Sequence, residues 1–519
     1  MAEITQPTLG ARGWLRWMWR QLTSMRTALF LLLLLAIGAV PGSIWPQRSI
    51  DAARTADYIA QHPELGPWLD RLGFFEVYAS PWFAAIYLLL FVSLVGCVLP
   101  RSRVHWRAMR AQPPRAPGRL ERLGAHAERE VAGSREDVLA AARAELRGRR
   151  FRVHSHDEHS VSSERGYLKE TGNLVFHLAL ILVIIGVAIG HLFGWKGDVI
   201  VPVGQGFANT LSRYDTFSPG PWVDAQDLSP FAVGVDRLDA TFEENVTGRG
   251  QFGQPRDFTA HVTATDEPGA TPREETIKVN HPLEMDGASV FLLGNGYAPV
   301  ITVRDGEGNV VYRDATPFLA QDNNYKSVGA VKVTGARPQQ LGFFGLFLPT
   351  AVISEEQGPS SVFPDAKKPA LALGLYEGEL FPEGRPQSVY TLDTQKLTQV
   401  KNAKGTDVLR IWLEPGQTFE LPGGRGSITF DGVERFAGLS VRSDPGKELT
   451  LVSALLALAG LIASLVIRRR RVFVRVSPGA EAGRTVVAVG GMAKDDDDTL
   501  AEAVGEILDA VERRMGTPR

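Results

Sequence analysis

Two histidines, His177 and His191, lie within a long apolar stretch of the chain. An imidazole in such a setting is a metal or haem ligand or a proton carrier, because a polar ring in hydrocarbon needs a partner. Fourteen residues at 100° each bring the two rings to within about 40° of one helix face, roughly 21 Å apart along the axis. That is the spacing at which one helix offers a ligand to two haems near opposite faces of a membrane. The bland reading is a hydrogen-bonded packing histidine, and for His191 an interfacial one. No other apolar stretch holds a histidine. A bis-histidine haem would therefore take its second ligand from a partner, or its axial group would not be histidine.

The remaining histidines carry weaker signals. His154, His156 and His159 form His-x-His-x-x-His, and strand alternation would aim the first two one way, yet no thiol or further ligand completes a zinc site. His261 reads as a core or surface residue of a strand, and His281 as a turn residue before a proline. The single cysteine, Cys97, lies in an apolar run and reads as a small buried hydrophobe. With one thiol there is no disulfide and no Cys-x-x-Cys exchange pair, so electrons in any redox pathway would pass through another protein. There is no Gly-x-Ser-x-Gly, no P-loop and no plausible triad, which argues against catalysis by this chain alone.

What positions these residues is a membrane. Four stretches are long and apolar enough to span as helices: residues 27–45, 82–100, 173–194 and 448–468. Their basic flanks agree on orientation. Arg12, Arg16, Arg20 and Arg26 precede the first, interleaved with Trp14, Trp17 and Trp19 as an interfacial belt. Arg101, Arg103, Arg107 and Arg110 follow the second, and Arg468 to Arg471 follow the fourth. Both termini are therefore expected in the cytoplasm. The short loop 46–81 and the large segment 195–447 are expected outside the cell membrane, making a multi-pass plasma-membrane protein. The first span reads as an anchor rather than a cleaved signal peptide.

Net charge is −2 over 519 residues, which leaves no nucleic-acid footprint. Between spans two and three, residues 101–172 read as a small cytoplasmic α+β insert. It has a Pro-rich linker, a helix N-capped by Ser134 with Val138, Leu139, Ala142 and Leu146 on one face, and two short strands. Residues 195–447 alternate short β-branched runs with turn signals such as Asp305 to Asn309, Pro422-Gly423-Gly424 and Asp431-Gly432. These are expected to form an all-β, sandwich-like domain. In the tail, 469–519, residues from Ser477 are expected to be flexible up to the acids Asp495 to Asp498. Those acids read as a solvated cap on an amphipathic helix, Leu500 to Arg514. The fold class is thus an α-helical membrane protein with a large extracytoplasmic β domain.

Five dispersed motifs resemble one family, the ResB proteins of the system II cytochrome c maturation machinery. Gly42-Ser43-Ile44-Trp45-Pro46-Gln47 leaves span one. Tyr78-Ala79-Ser80-Pro81-Trp82-Phe83 begins span two, which ends on Cys97 and Arg101. Gly172 to His177 matches Gly-x-x-x-x-His at span three. In the outer segment Val279-Asn280-His281-Pro282-Leu283 runs on to Gly287, and Asp444-Pro445-Gly446 leads back into the membrane. One departure stands out: where the family has an aromatic-Gln pair after that glycine, this chain has Phe291 followed by Leu292.

The resemblance implies a haem-handling subunit that moves or presents haem b on the outer face for covalent attachment to apocytochrome c. It acts beside a Trp-rich ResC- or CcsA-like membrane partner, as a non-catalytic subunit of a haem-lyase (synthetase) complex. A thioredoxin-like thiol reductant has a place in the same system. His177 is then the foremost haem-ligand candidate, with His191 and His281 behind it. Two other classes fit the residues: a membrane-anchored scaffold without haem, and a b-type electron-transfer subunit, which would need paired histidines on a second helix.

Overall fold

The computed structural model describes residues 10–516 apart from 225, 227, 246–250, 355–357, 382–389, 403 and 482. Its helices are α1 (Ala11–Leu22), α2 (Met25–Ile44), α3 (Ala52–Gln61), α4 (Gly66–Arg71), α5 (Pro81–Arg110), α6 (Arg135–Gly148), α7 (Leu168–Phe193), α8 (Lys447–Val466) and α9 (Leu500–Gly516). Four of them, α2, α5, α7 and α8, are long and apolar enough to cross a membrane. Two run past their apolar stretches. The helix of span two continues through Pro100 to Arg110, and that of span three begins at Leu168.

The chain divides into two compact units, residues 1–186 with 448–519, and residues 187–447. In the first unit the tail after α8 forms two strands, Arg470–Pro478 and Arg484–Ala493, the second lying where the residues from Ser477 were expected to be flexible. They pair with the insert in a five-stranded antiparallel sheet. Ala125–Ala132 runs beside Arg484–Ala493, which runs beside Arg470–Pro478, then Ser160–Arg165, then Arg152–Asp157. The physical reason is a shared core. Val138, Leu139, Ala142 and Leu146 of α6, with Leu500, Val504, Leu508 and Val511 of α9, close over Val472, Val474, Val476, Val487 and Val489. The α6 face is the one expected from spacing, and Ser134 Oγ accepts the Asp137 N–H at 3.2 Å as its cap. The Pro-rich linker is pinned along the same sheet. His156 Nε2 donates to Pro113 O at 2.6 Å, and Arg475 Nη1 to Gly118 O at 3.1 Å.

Of the acids before α9, Asp495, Asp496 and Asp498 are exposed, but Asp497 is not part of a solvated cap. Asp497 is buried and accepts both arms of the Arg470 guanidinium at 2.6 and 2.8 Å. That fork, with Thr499, holds its carboxyl down at about 2. Asp495 pairs with Lys169.

The second unit is built on two 17-residue strands, Ala288–Arg304 and Ser427–Ser443, paired antiparallel within a seven-stranded sheet. One half of this sheet packs Ile301, Val303, Ile428 and Phe430 against the six-stranded sheet carrying Val331, Phe343, Leu371 and Ile411. The other half packs Val199, Val290, Leu439 and Val441 against the four-stranded sheet carrying Val233, Val262 and Ile277. The domain is therefore two sandwiches in series on one shared sheet. Two short runs of the sequence, residues 289–293 and 300–303, belong to one strand. Asp431-Gly432, expected as a turn, lies inside its partner. Val300 faces Gly432 and Ile301 faces Phe430, so Asp431 is the extra residue of a bulge, its carboxylate accepting Thr302 Oγ1 at 2.6 Å.

Candidate functional site

Helix α7 carries the site because a run of Leu, Val and Ile with small residues at turn spacing can be both apolar and closely packed. The small residues face α8. A Cβ on Gly172 would stand 2.7 Å from Gly460 O, and a Cβ on Gly460 would stand 2.7 Å from Phe176 N, so the two backbones touch and only glycine fits. Ala179 is buried on the same face. His177 is five residues past Gly172, which turns it about 140° away from α8.

The half-buried His177 ring lies edge-on to Phe176 at 5.0 Å between centroids. Its Nδ1 is 2.7 Å from Asn173 O, one turn back. A carbonyl oxygen only accepts, so Nδ1 carries a proton, and in the neutral ring Nε2 keeps its lone pair. Among the described residues nothing bonds to that lone pair. This is the neutral tautomer that ligates iron, oriented by a backbone carbonyl as metal-binding imidazoles usually are.

His191 is exposed near the end of α7. The helix end there is closed by a loop: Trp222 N donates to Leu192 O at 3.1 Å and Gly220 N to Gly194 O at 2.8 Å, with Trp222 against Phe193. The imidazole has no hydrogen-bond partner among the described residues. His281 is exposed in a two-residue hairpin turn, Lys278 and His281 exchanging backbone bonds around Val279 and Asn280. Asn280 (φ +63°) and Gly287 (φ +71°) take the left-handed conformations of two successive turns. The Val-Asn-His-Pro-Leu motif is thus a folding device first, and it does not bring His281 to another candidate ligand.

The His154 and His156 rings touch at 4.4 Å between centroids, but among the described residues no group of three ligands forms a metal site. His261 Nε2 lies 2.9 Å from both Asp239 and Arg237. Cys97 is a packing residue, its Sγ donating to Thr23 O at 2.6 Å where α1 turns into α2. Phe291, at the departure from the family pattern, lies 5.4 Å under the Arg442 guanidinium.

Sequence reasoning missed His105. It lies on the extension of α5, buried, with Nε2 2.9 Å from Thr171 Oγ1 and Nδ1 3.4 Å from Glu170. Glu170 also pairs with Arg469 at 2.5 Å and Lys494 at 2.7 Å, while buried Glu164 takes Arg471 at 3.2 Å. Three helices, the sheet and the tail meet in this polar junction. The signal was available, since His105 repeats the buried face of Val98 seven residues on.

A profile of the ResB-like family matches residues 25–505. The chain is 29% identical over 355 residues to the cytochrome c biogenesis protein CcsB of a Synechococcus strain, covering 66% of this chain and 73% of the relative. It is 25% identical to CcsB of Thermosynechococcus vestitus over 86% of each chain. With the cytochrome c biogenesis protein ResB of Bacillus subtilis it shares 23% over 93% of this chain and 87% of that one. The family match over residues 25–505 places the chain in the ResB-like family.

Proposed function

We propose that this chain acts in cytochrome c maturation as the subunit that receives haem b as cargo and presents it outside the membrane for attachment to apocytochrome c. The printed names of its relatives, cytochrome c biogenesis proteins, support the pathway. The observation that carries the haem step is His177, an oriented imidazole with an open Nε2 lone pair on the face of α7 turned from α8. Bound there, haem would gain one axial nitrogen. Asn173 O fixes the ring and keeps the proton on Nδ1, so Nε2 stays a donor. His105 is occupied by Thr171, and the other spans supply no histidine. The second ligand therefore comes from a ResC- or CcsA-like membrane partner. His191 is a second candidate position on the same helix, and His281 a third, remote from the membrane in sequence.

The basic flanks support termini in the cytoplasm and the β domain outside. The α+β domain then sits on the side where haem is made, and the two sandwiches on the side where apocytochrome c arrives. A thioredoxin-like reductant would keep the acceptor thiols reduced, because this chain has no thiol pair to do so. The chain is a non-catalytic member of the complex. An absorbance spectrum of the purified chain, alone and co-expressed with its partner, tests the reading. A Soret band confined to the co-purified complex is expected. A full band in the isolated chain indicates a b-type cytochrome, and no band in either indicates a scaffold.

A further inference from the structure

The arginines of this chain fall into two populations. Those after α8 all have carboxylate partners: Arg468 and Arg470 share Asp497, Arg469 meets Glu170 and Arg471 meets Glu164. Those of α1 and of the α5 extension differ. Arg12, Arg16 and Arg20, then Arg101, Arg103, Arg107 and Arg110, are all exposed. Among the described residues none has a carboxylate partner. Setting the orientation during insertion takes only the charge, and the run after α8 shows that such arginines can afterwards be consumed in ion pairs. The unpaired set needs another counter-charge.

Helix α1 shows what it is. Arg12, Arg16 and Arg20 recur every fourth residue, so they form one stripe about 80° wide. Trp14, Leu15, Met18 and Leu22 occupy the opposite face, and no residue of α1 is buried. The helix is anchored at the depth of the spans. Ser93 Oγ donates to Leu22 O and Cys97 Sγ to Thr23 O, both at 2.6 Å, and Ser93 and Cys97 belong to the apolar run of α5. An exposed apolar stripe continuous with the exposed surface of α2, edged by tryptophan and arginine, is the pattern of a helix lying in a bilayer interface. On α5, Arg110 stacks over Trp106 at 4.4 Å, and both side chains are on the exposed surface of the helix.

We propose that α1 and the Arg101–Arg110 segment of α5 form a docking surface for anionic phospholipid headgroups. The tryptophans would sit at the acyl boundary and the guanidinium forks would grip phosphate in pairs of bonds. A lipid surface is favoured over an acidic protein because the apolar stripe runs on into α2, whose own surface is lipid-facing along its length: of its residues only Leu31 is buried. This inference stands apart from the haem reading and needs neither haem nor the partner.

The test uses the full chain in neutral detergent, with phosphatidylglycerol or phosphatidylcholine added and retained lipids counted by native mass spectrometry. Wild type should retain phosphatidylglycerol over phosphatidylcholine by about fivefold or more. R12Q/R16Q/R20Q should lose most of that preference, R101Q/R103Q/R107Q part of it, and R313Q on the β domain none. R12K/R16K/R20K should keep much of it. Equal retention of the two lipids by wild type, or an unchanged preference in both glutamine triples, would overturn the proposal. So would an acidic protein held stoichiometrically by wild type and lost from the α1 triple.

Discussion

His177 Nδ1 lies 2.7 Å from the carbonyl oxygen of Asn173, and this bond settles the tautomer of a histidine in a membrane-spanning helix. The proton is spent on the backbone, so the ring offers its surroundings an acceptor at Nε2. In lipid an unfilled acceptor is costly, which makes a half-buried imidazole of this form a candidate ligand in the assembled state.

The α+β domain is completed by residues that follow α8, which gives a clear outcome for truncation. Removing residues 470–519 takes away two strands and α9, leaving Val138, Leu139, Ala142 and Leu146 without most of their core. Limited proteolysis should then cut within residues 125–165, which the full chain protects. The β domain, whose core holds none of the deleted residues, should keep its protection.

Asp497 makes that domain acid-sensitive. Its folded pKa, about 2, lies below the ordinary aspartate value near 3.9. The stabilisation is therefore fully present above about pH 4 and is lost as pH falls toward 2. Two units correspond to at most roughly 3 kcal/mol. Hydrogen-exchange protection of strand Arg470–Pro478 should fall over that window in wild type. In Asp497→Asn it should be weaker at pH 7, and the part of the pH dependence due to this carboxylate should vanish. An identical pH profile in both proteins would show that the fork contributes nothing.

Cys97 gives to the Thr23 carbonyl a bond that a hydroxyl can also give. Cys97→Ser should leave cytochrome c levels within about twofold of wild type, with packing losses of about a kcal/mol. Loss of assembly at normal protein level would make Cys97 a ligand or redox thiol.

In that cysteine-free background the sidedness can be read directly. Single cysteines at the exposed positions Glu307 and Asp496 should respond oppositely to an impermeant thiol reagent on intact cells. Glu307→Cys should be labelled and Asp496→Cys spared until the membrane is opened. The reverse pattern, or labelling of both, contradicts the orientation.

Much of this was legible in the sequence because the strongest signals are local. Twenty apolar residues announce a span, Ser134 announces a helix start, and a turn-and-strand rhythm announces a β domain. What was hidden is non-local. The Val472, Val474 and Val476 alternation is visible, but only one of its two partner strands, Arg484–Ala493, is a local one; the other lies some 310 residues away, so the segment read as tail. Asp497 looked like a cap until Arg470 was beside it. His105 sat beyond the last apolar residue, where a hydropathy window stops although the helix does not. Asp431-Gly432 signalled a turn because a bulge and a turn share the same residue preferences.

The central claim is that His177 holds haem only together with the partner. The most direct measurement is haem per complex, at matched protein level, for wild type, His177→Ala and His191→Ala co-purified with the partner. His177→Ala should lower haem about tenfold. Added imidazole should restore part of it by refilling the vacated coordination position, a rescue that a merely misfolded variant would not show. His191→Ala should do less. Equal haem in wild type and His177→Ala would contradict the account and reduce His177 to a packing residue.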